Sequence, residues 1–116
     1  PYWVFVFYSA TQRSVFDVSV DAGGARVVNR VQVWVAPDTL ELGAWREGPR
    51  DALSVFLAYS GREFLEEHPG ATVSLHLAAG EVRKGVWSVA FLDPESRETV
   101  SIQVDAETLE ILFVSP

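Results

Sequence analysis

His68 and His76, with Glu66 and Glu67 beside the first histidine, form the group in this chain best suited to holding a metal ion. Imidazole nitrogens and carboxylate oxygens together suit zinc and related divalent ions. They would converge only if the segment carrying His76 folds back beside the one carrying His68. Each histidine also has a simpler role. His68 stands at the end of a helical pattern, where the macrodipole favours a cation, and His76 falls on the polar face of an alternating strand. These simpler roles account for both residues, and no metal is expected. Nucleophilic catalysis needs a Ser or Thr beside an oriented base, and Ser60-Gly61 lacks the strand-turn-helix setting of a nucleophile elbow. Acid-base work by paired carboxylates needs burial to separate their pKa values. The acids here fall in turns (Asp93, Glu95, Asp105, Glu107) or on the outer face of a helix (Glu63, Glu66, Glu67). Gly23-Gly24 reads as a hairpin turn and not as a phosphate cradle. A protein with no catalytic site and no cofactor is expected.

Composition narrows the partners. A formal net charge of −7, with Lys84 the only lysine and the arginines scattered, argues against binding nucleic acid or an anionic membrane surface. The absence of cysteine excludes disulfides, zinc-thiolate sites and cysteine nucleophiles. No apolar run approaches the length of a membrane span, so membrane insertion is not expected. At 116 residues with 48% hydrophobic content the chain can bury a core, as one compact unit or two small halves.

The elements that would position these residues are mostly strands. Tyr2 to Tyr8 is apolar on both faces, with Trp3, Phe5 and Phe7 on one and Val4, Val6 and Tyr8 on the other. Such a strand is expected to be central or covered on both sides. Ser14 to Asp21 alternates with Phe16, Val18 and Val20 facing in. Ala22-Gly23-Gly24 turns the chain into a third strand, Arg26 to Val35, carrying Val31, Val33 and Val35 on one face. Pro37 to Gly48, with Leu40, Leu42 and Trp45, reads as a short strand plus connector.

Gly48-Pro49 followed by Asp51 starts a helix. Its packing face is expected to carry Ala52, Leu53, Phe56, Leu57, Ser60 and Phe64, and it ends near Glu67 or His68, before Pro69-Gly70. Gly61, costly inside a helix, marks close packing on the sheet. Four alternating strands follow, led by Val73-Leu75-Leu77, Trp87-Val89-Phe91, Val100-Ile102-Val104 and Leu109-Ile111-Phe113. One-sided alternation over so many strands predicts an antiparallel sheet with one face on the helix and one in water. The fold class is α+β: an antiparallel β-sheet packed on one main α-helix, divided into halves 1–48 and 49–116 within one compact unit.

The first strands recur. Trp3 to Val28 aligns without a gap on Trp87 to Leu112, with identities at Trp3/Trp87, Phe7/Phe91, Arg13/Arg97, Val20/Val104, Asp21/Asp105 and Ala22/Ala106. Apolar positions keep the same parity in both copies, which predicts one repeated β-hairpin. Asp21 and Asp105 stand where a strand ends, and an Asp there accepts hydrogen bonds from backbone N–H groups two residues on.

The segment from Arg50 to Leu112 resembles the PepSY domain, a helix followed by an antiparallel sheet. The resemblance is carried by the Ala- and Leu-bearing helix, by the strand Ala71 to Leu77, and by the Trp-led hairpin ending Val104-Asp105-Ala106-Glu107-Thr108. Leu109 stands where that family usually has Gly. Trp3 to Val28 resembles the hairpin alone, with no helix before it. The resemblance implies a PepSY/cystatin-like arrangement, an extracytoplasmic setting and, in peptidase propeptides, regulation of a protease.

The function expected on that basis is a non-catalytic protein-binding or regulatory module. An extended peptide would add to a sheet edge, at Val31, Val33 and Val35 or at Val73 and Leu75. Two other readings stay open. The chain could self-associate as a homodimer that covers Tyr2 to Tyr8, or carry a small apolar ligand among Phe56, Phe64, Trp87 and Phe91.

Overall fold

The computed structural model describes residues 2–41, 43 and 46–115. The expected connector residues Leu42 and Trp45 lie outside the described residues. The fold is α+β, with two antiparallel sheets and one main helix. The chain divides into two compact units, Pro1–Thr39 and Leu40–Pro116, so 40–48 groups with the helix-bearing half. The reason is local. The backbone N–H groups of Arg46 and Glu47 both donate to the Ala106 carbonyl at 3.0 Å, and the Trp87 indole donates to the Glu47 carbonyl at 2.8 Å.

The first unit is a three-stranded sheet in the order β1 (Trp3–Ser9), β2 (Ser14–Asp21), β3 (Gly24–Gln32). Its second turn is tight: Asp21 lies opposite Gly24, whose φ of +120° suits glycine, and the Gly23 N–H donates to Asp21 Oδ1 at 2.8 Å. A bulge between Asp17 and Val18 shifts the β2–β3 register. Strand β1, expected to be central, is an edge strand, and most of both its faces is exposed. Sequence records that both faces are apolar but not what covers them.

The second unit starts with the helix. It runs through α1 (Pro49–Phe56), a π-helical turn (Leu57–Gly61) and α2 (Arg62–Glu67). Pro49 occupies the first turn, and the Asp51 carboxylate accepts from the Gly48 N–H at 3.1 Å. The π turn inserts one residue into the helical phase. The buried stripe is therefore Ala52, Phe56 and Gly61, and Ser60, expected on that face, is only half-buried. A Cβ at Gly61 would stand 3.0 Å from Phe91 Cε2 and 3.2 Å from the Phe56 carbonyl oxygen, which explains the glycine.

The four-stranded sheet follows in sequential order, β4 (Thr72–Ala78), β5 (Val86–Leu92), β6 (Thr99–Asp105) and β7 (Ile111–Ser115). The helix covers one of its faces. Ala52 and Phe56 join Trp87, Val89, Phe91, Val100, Ile102, Val104 and Ala106 in one core. His76, Ser74 and Gln103 lie on the other, wetter face, and each is exposed. Leu109, standing at the expected glycine position, has a φ of +64° while its side chain stays half-buried against the core.

Corresponding residues of the two units pair alike. Trp3 lies opposite Val20 as Trp87 lies opposite Val104, Phe5 opposite Val18 as Val89 opposite Ile102, and Phe7 opposite Phe16 as Phe91 opposite Val100. Arg13 and Arg97, at matching positions in the connecting loops, have φ values of +47° and +64°.

Candidate functional site

The polar cluster nearest to catalytic geometry centres on His68. Its Nδ1 lies 2.7 Å from Asp93 Oδ2 and its Nε2 2.8 Å from Glu98 Oε2, while its ring lies tilted by 31° against Phe64, 4.4 Å between ring centroids. Both ring nitrogens are thus engaged by carboxylates. The arrangement ties the C-terminal end of the helix to the β5–β6 loop. The carboxylates that reach His68 come from that loop and not from Glu66 or Glu67 next in sequence. His76 is exposed on β4, and no group of His, Asp or Glu able to hold a metal is found among the described residues. Asp93 is held below the usual carboxylate range by the Glu95 N–H and then by His68.

A second cluster closes the β6–β7 turn. Burial works to raise the pKa of Asp105. The N–H groups of Glu107 and Thr108 and the Arg83 guanidinium outweigh it, and the carboxyl ends below its usual value. Asp105 Oδ1 accepts from Glu107 at 2.7 Å and Thr108 at 3.1 Å, and Arg83 bridges Oδ2 to Glu110. This is the backbone-capping role read for both aspartates. Ser60 Oγ is buried with no hydrogen-bond partner among the described residues, so no described base touches it.

Of the aromatic group, Phe56, Trp87 and Phe91 are buried in the core and Phe64 packs half-buried against it. Phe56 and Phe91 lie 4.8 Å apart between ring centroids, Phe64 and Phe91 6.4 Å, and Trp87 caps the core through its indole N–H. The sheet edges are β1 and β3 in the first unit, and β4 and β7 in the second. Val31 is on β3, and Val73 and Leu75 are on β4. Val33 and Val35 lie past the end of β3, and the Val33 N–H already donates to the Arg13 carbonyl at 2.9 Å.

The least satisfied surface is a sheet face in the first unit. Cross-strand pairing puts Trp3, Phe5, Phe7, Phe16, Val18, Val20, Ala25 and Val27 on one side. Arg30 shares that side, its guanidinium 5.4 Å from the Phe16 ring centroid. The opposite side mixes valines with Asp17, Arg26 and Asn29. On the apolar side Trp3, Phe5 and Phe7 are 46%, 49% and 56% exposed, whereas Trp87, Val89 and Phe91 at the matching positions are 3%, 0% and 3% exposed. No apolar side chain of the first unit is fully buried among its described residues.

Exposed apolar side chains are thus contiguous over this side of the sheet. The gap-free alignment did not signal this exposure, since it matches these residues to a core-facing set. Comparison with protein-family models, with curated proteins and with solved structures finds no match to this chain.

Proposed function

We propose that this chain is a non-catalytic, protein-binding module of PepSY type whose working surface is the apolar face of β1–β3. One observation carries the reading: that face is open in the first unit, while the matching face of β5–β6 is covered by the helix. A three-stranded sheet with neither side buried gains little from its own packing, so a partner that covers it contributes stability as well as binding. Regulation of a peptidase is the role the PepSY resemblance suggests for such a module, with the sheet edges as a second contact.

Selection from a random displayed-peptide library against the immobilised full chain tests the reading. Enrichment that is lost on Val27→Asp, an exposed position on the open face, is the expected result. No enrichment over an unrelated bait, or enrichment indifferent to Val27→Asp, would overturn it.

A further inference from the structure

We propose that the apolar face of β1–β3 receives an amphipathic helix from another protein, with a small residue above Phe7 and an acidic flank beside Arg30. The inference rests on the binding-module reading and adds the chemistry of the partner. The chain itself shows how such a face is satisfied. In the second unit Trp87, Val89, Phe91, Val100, Ile102 and Val104 lie under a helix that contributes Ala52, Phe56 and Gly61. The first unit presents Trp3, Phe5, Phe7, Phe16, Val18 and Val20 in the same cross-strand register. Phe7 matches Phe91, the ring that approaches within 3.0 Å of where a Gly61 Cβ would stand, so a helix crossing Phe7 needs a small residue there. A helix laid on a sheet face through alanine, glycine and one aromatic residue is the packing this register already supports.

Charge chooses the flank and argues against a second copy. Arg30 is the one charged residue that pairing puts on this face, and it has no carboxylate partner among the described residues. Among the described residues its guanidinium donates to the Ser14 hydroxyl at 3.4 Å and lies over the Phe16 ring. Another copy of the face would bring its own Arg30 and no acid. A helix with glutamates along its border, like the exposed Glu63, Glu66 and Glu67 of α2, supplies the missing partner.

The test titrates the full chain with a synthetic peptide of residues 49–67, acetylated and amidated, alongside a scrambled peptide and a strand-forming Val/Thr peptide. Indole NMR signals report the site. The expected result is saturable binding of the 49–67 peptide that moves the Trp3 signal and leaves Trp87 in place. Val27→Asp should weaken that binding about tenfold or more, and Val6→Asp, on the opposite side, should not. Arg30→Glu should weaken it by about two- to fivefold, with Arg30→Lys retaining most of it.

Movement of Trp87 alone would mean exchange with the resident helix and would overturn the proposal. So would a Val27→Asp-sensitive dimer mass for the chain alone, which would make a second copy the occupant. Binding of the Val/Thr peptide in place of the 49–67 peptide would leave a binding module and remove the helix. No binding in any arm, together with an unenriched library, would remove both.

Discussion

Two aspartates at matching positions do unequal work. Asp105 is buried and accepts from two backbone N–H groups and Arg83, whereas Asp21 is exposed and accepts from one. Removing a buried acceptor strands its donors, so Asp105→Ala should cost about 1–3 kcal/mol and Asp21→Ala about 0.5 kcal/mol. Urea unfolding of the two variants measures the difference, and equal losses would contradict the burial argument. Asp93 sets a pH dependence. Its folded pKa is depressed, so its contribution is present above the unfolded carboxylate value of about 3.9 and is lost as pH falls through the folded value. Asp93→Asn should therefore flatten the fall in unfolding midpoint from about pH 5 downward relative to the parent. The capping role of both aspartates was legible in sequence, because an Asx turn involves only neighbours. The partners of His68 were not, because Asp93 and Glu98 reach it through a distant loop.

At the scale of elements, the strands were readable from alternation but not all their ends. Strand β3 stops at Gln32 and not at Val35, and Leu109 precedes β7 with a positive φ. The helix, by contrast, began and ended where proline, aspartate and glycine place it. Its phase was not readable. A spacing of three and four puts Ser60 on the packing face, but the π turn at Leu57–Gly61 advances the phase so that Gly61 meets Phe91. Gly61→Ala tests this. Helix propensity would favour alanine by about 1 kcal/mol. Overpacking a ring confined by Phe56 and Phe64 costs about 1–3 kcal/mol. A net loss of roughly 1 kcal/mol is expected from the difference of these two effects. Gly70→Ala, with no atom within 4 Å of the added carbon, should be neutral or slightly stabilising. A stabilised Gly61→Ala protein would mean that the helix does not press on Phe91 as described.

At the scale of the whole molecule, the two units treat their apolar sheet faces differently. One closes its apolar face with a helix and the other leaves that face open. Sequence aligned Trp3 to Val28 with Trp87 to Leu112, yet it read Trp3, Phe5 and Phe7 as covered, because apolarity alone does not distinguish an interior from an open face. A partner that covers the open face should raise the stability of the first unit by mass action, with the logarithm of one plus its free concentration over its Kd. The most direct measurement is hydroxyl-radical footprinting of the full chain, read residue by residue by mass spectrometry. Rapid oxidation of Trp3, Phe5 and Phe7 with protection of Trp87 and Phe91 is the expected result. Equal protection of the two sets would mean that the first face is already closed within the chain, and would contradict the account.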